Sequence, residues 1–367
     1  MLRAVADAPS RQAFRRALES ADFRLAEGGP ALNFGAALPR EGGALLHGGK
    51  VKLAHLDRAF PESRESWNLL YLVSSAIQRH ALELVDFAQA GGAKFVWNQN
   101  GVGFPGWAGA EAEDFNGPMR KLRSRADFIV YQSRFCQESA DRFLGPAKAG
   151  HAILFNPVDL AMFRPAASPP DQKIWRLLAA GTHMEPERVT RAIETLAELR
   201  RRGHSAELSV AGRFLWRNAD EEIADAIERT NVAEWIRLRP TYSQAEAVAM
   251  LQRSHLLLHL KYHDPCPTAV IEALACGVPV IGSHSGGLPE LLGADGGELL
   301  DVPQSWDTRF YPGASELADA VEKVMAVWEA RSASARAHAE KHFDHRAWVQ
   351  RHREIFEQLL KTGGSMQ

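Results

Sequence analysis

Short apolar runs alternate with amphipathic stretches along this chain in two successive series, separated by the proline-rich segment Arg164–Lys173, RPAASPPDQK. That alternation is the pattern of parallel α/β folds, because a helix must carry the chain back before the next parallel strand can start. In the first series, strands are expected at Ala31–Ala37, Trp67–Ser74, Ala93–Asn98, Asp127–Gln132 and His151–Asn156. Helices are expected between them at Val51–Phe60, Ile77–Ala90, Phe115–Ser124 and Phe135–Leu144. In the second series the strands are Trp175–Ala180, Ala206–Ala211, Trp235–Leu238, His255–Leu260 and Val278–Ser283. The helices there are Arg188–Arg202, Asp220–Arg229, Gln244–Arg253 and Thr268–Ala275, followed by Ala314–His342 and His345–Lys361. Val189, Ile193, Leu196 and Leu199 share one helical face, opposite Arg191, Glu194, Glu198 and Arg201. Two doubly wound units joined by a linker fit this pattern better than one large sheet.

At 367 residues the chain exceeds one ordinary core, in keeping with two domains. A net charge of −2 gives no whole-protein field for nucleic acid. Cys136, Cys266 and Cys276 stand far apart and in no metal-ligand spacing, which suits a reducing compartment. The first twenty residues have no apolar core with a cleavage site, and no apolar run is long enough to span a bilayer. A cytoplasmic protein is therefore expected.

Open parallel sheets bind ligands beyond the carboxyl ends of their strands. The richest such place is His259–Gly293, HLKYHDPCPTAVIEALACGVPVIGSHSGGLPELLG. A strand runs into a polar loop holding Asp264, and a helix begins near Thr268 with Glu272 about one turn in. Pro265 and Pro267 have no N–H, so Cys266, Thr268 and Ala269 supply the amides at the helix start. A helix N-terminus of this kind suits a diphosphate, and flanking carboxylates can accept hydrogen bonds from sugar and ribose hydroxyls.

These residues resemble the E-x7-E signature of the retaining glycosyltransferases of family 4, within the GT-B fold. The signature here reads Asp264-x7-Glu272, followed by EALACGVPVIGS and GGLPE. NPVDLAMFRP (Asn156–Pro165) and LAAGTHMEPERVTRAIETL resemble the same family more loosely. The resemblance implies two Rossmann-like domains facing across a cleft. Residues 1–165 would form the acceptor-side domain, 166–343 the nucleotide-sugar donor domain, and 344–367 a terminal helix crossing back to the first. It implies transfer of a hexose-type sugar from a UDP- or GDP-sugar to a hydroxyl acceptor, with retention. The acceptor would be a saccharide, a lipid-linked group or a small molecule. No cofactor or metal is expected, since no Asp-x-Asp or His/carboxylate cluster stands on the donor side.

Carried over by resemblance, Asp264 contacts the donor sugar and Glu272 the ribose, while Cys266, Thr268 and Ala269 hold sugar and phosphate. The family's Arg after the glycine of the first donor-domain strand is absent: Gly181 is followed by Thr182, and the next cation, Arg188, is displaced by one position. Arg188, Lys261 and Arg213 are the candidates to stabilise the departing diphosphate. HGGKVKL resembles the family's glycine loop, placing Gly48 and Gly49 on the acceptor side. Asn100 stands where relatives often carry a histidine.

Several features admit two readings. The basic run Arg120–Arg125 can meet anionic lipid headgroups at a membrane surface, or be a solvated helix face. Trp97, Phe104 and Trp107 can stack on a sugar acceptor or pack the domain interface. His183, His263 and His284 can line a site or be structural. The rivals to a transferase are a degenerate GT-B nucleotide-sugar-binding subunit, suggested by the missing Arg and by Asn100, and a GT-B epimerase or phosphorylase. A hydride-transfer enzyme is disfavoured, since no G-x-G-x-x-G follows a strand.

Overall fold

The computed structural model describes residues 10–20, 22–35, 49–294 and 296–362. The chain divides into two compact units. One runs to Phe155 and takes in the chain again from His345; the other is Asn156–Asp344.

The first unit is built on five parallel strands in sequential order: β1 (Leu32–Asn33), β2 (Leu69–Val73), β3 (Lys94–Gln99), β4 (Phe128–Tyr131) and β5 (Gly150–Ile153). Both faces of this sheet are covered, so β2 is apolar at every position, LLYLV. Leu70 and Leu72 face Leu84, Val85, Met119 and Leu122 from the helices Ala81–Ala90 and Ala112–Arg123. Leu69, Tyr71 and Val73 face the other way, onto Leu53 and Leu56 of the Gly49–Ala59 helix and onto Trp348, Ile355 and Phe356 of the His345–Thr362 helix.

The second unit has six parallel strands: β6 (Trp175–Ala180), β7 (Ala206–Ala211), β8 (Ile236–Arg239), β9 (Leu256–His259), β10 (Val280–Ser283) and β11 (Gly297–Leu300). Their order across the sheet is β8-β7-β6-β9-β10-β11. Progress across the sheet reverses between β6 and β9, which pair directly, Leu256 opposite Leu177 and Leu257 opposite Leu178. Such a reversal opens a crevice at the strand ends, where open α/β sheets take their ligands. The helix Glu187–Arg201 covers this sheet with Val189, Ile193, Leu196 and Leu199, the apolar face read from the sequence.

Three features differ from the sequence reading. The boundary between units falls at Phe155–Asn156, before the proline-rich segment. Residues 156–165 are held by the second unit: Asn156 Nδ2 donates to the Cys266 carbonyl at 2.8 Å, and Arg336 Nη1 to the Phe163 carbonyl at 2.9 Å. Strand β11 has no counterpart among the expected strands, because its GELL residues are half-buried and show no apolar run. The long helix expected over Ala314–His342 is broken at Val327, giving Ala314–Ala326 and Trp328–His342. The break lets Trp328 turn inward, donate from Nε1 to the His255 carbonyl at 2.8 Å and pack against Trp175.

Candidate functional site

The loops after β6 and β9 lie on either side of the reversal and carry the polar side chains that matter most. Two glycines hold the neighbouring loops close. A Cβ on Gly212, after β7, would lie 1.7 Å from the Gly181 carbonyl oxygen. One on Gly286, after β10, would lie 2.6 Å from the Asp264 carbonyl oxygen, and both residues have positive φ. Gly287 N–H donates to the Asp264 carbonyl at 2.9 Å, so the Ser285-Gly286-Gly287 turn braces the Asp264 loop.

Asp264 is approached by two nitrogens, Lys261 Nζ at 3.2 Å and His259 Nε2 at 3.5 Å. Burial works to raise the Asp264 carboxyl, but the Lys261 ammonium and the His259 imidazole outweigh it. The group sits far below the usual carboxylate range. Glu272 behaves in the opposite way. It lies in the second turn of the helix Thr268–Ala275 and has no hydrogen-bond or ion-pair partner among the described residues. Burial alone pushes its carboxyl up to about 8. Two acids in one short segment are thus driven apart, one firmly ionised and one holding its proton near neutrality; opposed environments of this kind assign separate roles to paired acids. No side chain caps the start of the Thr268 helix, so its first amides are not engaged by a side-chain cap.

The raised Glu272 carboxyl has a consequence for the ligand-free protein. The unfolded chain loses this proton near pH 4.5 and the folded one near pH 8. Between those values the folded state binds more protons, so stability is expected to fall as pH rises, by at most about 1.4 kcal/mol per pH unit. Glu272→Gln should flatten that slope in urea titrations repeated between pH 5 and 8. An unchanged slope would mean that another group is responsible.

Arg188 opens the next wall. Its side chain is almost fully buried, and Nη1 donates to the Thr182 carbonyl at 2.5 Å while Nε has no partner. Burial pulls its pKa down, against the attraction of Glu185, Asp264, Tyr311 and Tyr242. The guanidinium stands over Gly181, Nη2 being 3.7 Å from where a Cβ there would be. Arg188, Lys261 and Asp264 therefore belong to one charged group. Arg213 does not share it: the residue is exposed, and its carbonyl accepts from His183 N–H. Cys266 is buried, its carbonyl accepting from Asn156 Nδ2 at 2.8 Å and its Sγ from the Asn156 N–H at 3.3 Å.

The histidines are largely structural. His183 is buried, stacks on Phe214 and bonds the Ala211 carbonyl through Nε2 at 3.2 Å; burial lowers its pKa to about 3. His263 stacks on Tyr262, and His284 pairs with Asp301 at 2.9 Å. Sequence reasoning missed His259, Glu185, Arg309, Tyr242 and Tyr311. His259 had a signal, standing at a strand end beside Lys261; Arg309 and Tyr311 lie in a segment with no periodicity to read.

In the first unit, Gly48 lies outside the described residues and Gly49 begins the Gly49–Ala59 helix. Asn100 follows β3 and joins a polar chain. Lys52 Nζ donates to Asn98 Oδ1 at 2.7 Å and to Asn100 Oδ1 at 3.0 Å, and Asn98 Nδ2 donates to Tyr71 Oη at 2.8 Å. Trp97 is fully buried core and Phe104 nearly so, which removes both as open stacking surfaces. The basic run is also engaged within its own unit. Arg120 forks onto Glu113 at 2.6 and 3.0 Å, Arg123 is buried against Tyr131 and Asp141, and Arg125 meets Asp86 at 3.3 Å. It is not a free basic stripe, and no helix among the described residues is long and apolar enough to cross a membrane.

Residues 164–339 match the family described as glycosyl transferases group 1. Glycogen synthase of Mycobacterium tuberculosis is 25% identical over 186 residues, 50% of this chain and 44% of that protein. A phosphatidylinositol N-acetylglucosaminyltransferase component of Arabidopsis thaliana is 22% identical over 184 residues, 50% of this chain and 38% of that one. The chain thus spans less than half the length of these curated relatives. Among solved structures, sucrose-phosphate synthase from Thermosynechococcus elongatus superposes with a TM-score of 0.63 at 17% identity, covering 85% of this chain and 77% of that one. HepE of Anabaena, in complex with UDP and glucose, gives 0.62 at 17% identity over 86% and 80%. At such identities the likeness is one of fold, and the fold is GT-B.

Proposed function

We propose that this chain is a retaining glycosyltransferase that moves a hexose-type sugar from a UDP- or GDP-sugar to a hydroxyl acceptor. The observation that carries this reading is the arrangement around the Thr268 helix. An ionised Asp264 bound to Lys261 stands before its uncapped start, and a half-buried Glu272 with no partner among the described residues stands one turn in. The first amides of the helix, Thr268 and Ala269, would receive the diphosphate. The Glu272 carboxylate would accept from the ribose hydroxyls, and Asp264 from a sugar hydroxyl. Lys261 and Arg188 would meet the charge that grows on the diphosphate as the glycosidic bond breaks. The diphosphate itself would take the acceptor proton, so no protein nucleophile is required. The UDP and glucose bound in HepE, and the group 1 match over the donor half, support a nucleotide-sugar donor.

A thermal-shift panel of UDP, GDP, ADP and their sugars tests the reading. A ligand at 100 times its dissociation constant should stabilise by roughly 2.7 kcal/mol. No shift with any of them would end it. Binding without transfer or donor hydrolysis would instead favour a binding subunit, the rival that Thr182 in place of a cation suggests.

Asp264→Asn separates the sugar end of the site from the ribose end. It is expected to lower turnover, or selectivity among sugars, by about tenfold or more while leaving affinity for the bare nucleotide within a few-fold. Equal losses for nucleotide and nucleotide-sugar would require the two acids to exchange roles.

A further inference from the structure

The segment between β11 and the Ala314–Ala326 helix is drawn against the site from the side. Tyr262 Oη donates to the Pro303 carbonyl at 2.7 Å and accepts from Ser305 N–H at 2.8 Å, and His263 packs on Trp306 with ring centroids 4.6 Å apart. This anchoring brings Arg309 to Glu185, Nη1 to Oε1 at 3.2 Å, and Tyr311 to the neighbourhood of Arg188.

Glu185 is almost fully buried and lies three residues before Arg188, close enough to be the leading attraction on its guanidinium. Yet no Arg188–Glu185 ion pair forms. One Glu185 oxygen is held by Arg309, the other has no partner, and Arg188 Nε has none either. Two nearly buried, oppositely charged side chains that keep unused valences and do not pair form an incomplete arrangement that a ligand can complete. A second carboxylate on Arg188 would neutralise the cation that an anionic ligand needs.

We propose that Arg309 is a positioning residue of the donor site: by holding Glu185 it keeps that carboxylate off Arg188 and leaves the buried guanidinium for the diphosphate of a nucleotide ligand. This rests on the donor-site reading above. With Arg309 removed, Glu185 is free to turn onto Arg188, and the ligand must then displace an internal ion pair. Removing the Glu185 charge as well abolishes that competition, so the second substitution repairs the first. A merely structural Arg309–Glu185 bridge predicts instead that Glu185→Gln, which breaks the bridge from the other side, weakens binding much as Arg309→Met does.

The test is isothermal titration with UDP, GDP and ADP of the wild type, Arg309→Met, Glu185→Gln and the double variant, each first checked for an intact melting transition. Arg309→Met is expected to weaken the best-bound nucleotide by about tenfold or more, the scale of one charge-assisted hydrogen bond. The double variant should recover toward wild-type affinity, and Glu185→Gln alone should bind at least as tightly as wild type. Unchanged affinity in Arg309→Met, or a double variant as weak as the single, overturns the inference while leaving the donor site intact. A wild type that binds none of the three nucleotides brings down the donor-site reading and this inference together. If Arg309→Met does not fold, Glu185→Gln still decides, because weaker binding by that variant contradicts the proposal.

Discussion

Arg188→Met is expected to lower sugar transfer by about 10²-fold or more, the usual cost of removing one donor aimed at developing charge. The substitution keeps an aliphatic stem in the space that the buried Arg188 side chain fills and deletes its guanidinium. The folded state should survive, because Glu185 retains Arg309 as its ion partner. Lys261→Met should also slow transfer, though by less. Lys261 is a third exposed and splits its charge with Asp264, whereas Arg188 offers an unpartnered Nε from a nearly dry position. The two losses should combine less than additively, since both cations meet one diphosphate. Rates near wild type in both variants and in the pair would mean that the charge is held elsewhere.

Glu272→Ala carries the second large effect, on affinity rather than rate. Loss of a carboxylate that accepts from ribose hydroxyls is expected to weaken nucleoside diphosphate binding by about 1.5 to 3 kcal/mol, roughly 10- to 150-fold. The variant should fold at least as well as the parent, because the carboxyl is half-buried, raised by desolvation and without a partner among the described residues. Its pKa of about 8 adds a signature. A ligand whose hydroxyls donate to the ionised form must drive off the proton. Wild-type affinity should therefore rise with pH up to about 8, and calorimetry in buffers of different ionisation enthalpy should register proton release. In Glu272→Ala that release should vanish. A folded variant with unchanged affinity and unchanged proton release would remove Glu272 from the nucleotide site.

Much of this architecture was legible because parallel, doubly covered strands must be apolar at nearly every position. Trp175–Ala180 and Ala206–Ala211 appear at the residues their apolar runs predict, as do the helices Gln244–Arg253 and Thr268–Ala275. Gly297–Leu300 escaped because an edge strand buried on neither face to completion carries no such run. The same contrast holds in the site. Lys261 and Asp264 share one loop, so their proximity could be read from spacing, and the brace by Gly286 fits the GG turn seen in the sequence. Arg309 and Tyr311 reach the site only because Tyr262 ties down a segment far along the chain, and nothing in local pattern encodes such a contact. Trp97 misled for a different reason. Trp97 lies within the strand Lys94–Gln99, where sheet pleating, which one sequence does not fix, turned it into the core.

The most direct test of the donor site is a crystal structure of the protein with the nucleoside diphosphate that binds it best. The ribose hydroxyls are expected on the Glu272 carboxylate. The diphosphate is expected within hydrogen-bonding distance of the Thr268 and Ala269 amides, with the Arg188 guanidinium on the same phosphates. Nucleotide density at any other place, with Glu272 still unpartnered, would contradict that assignment.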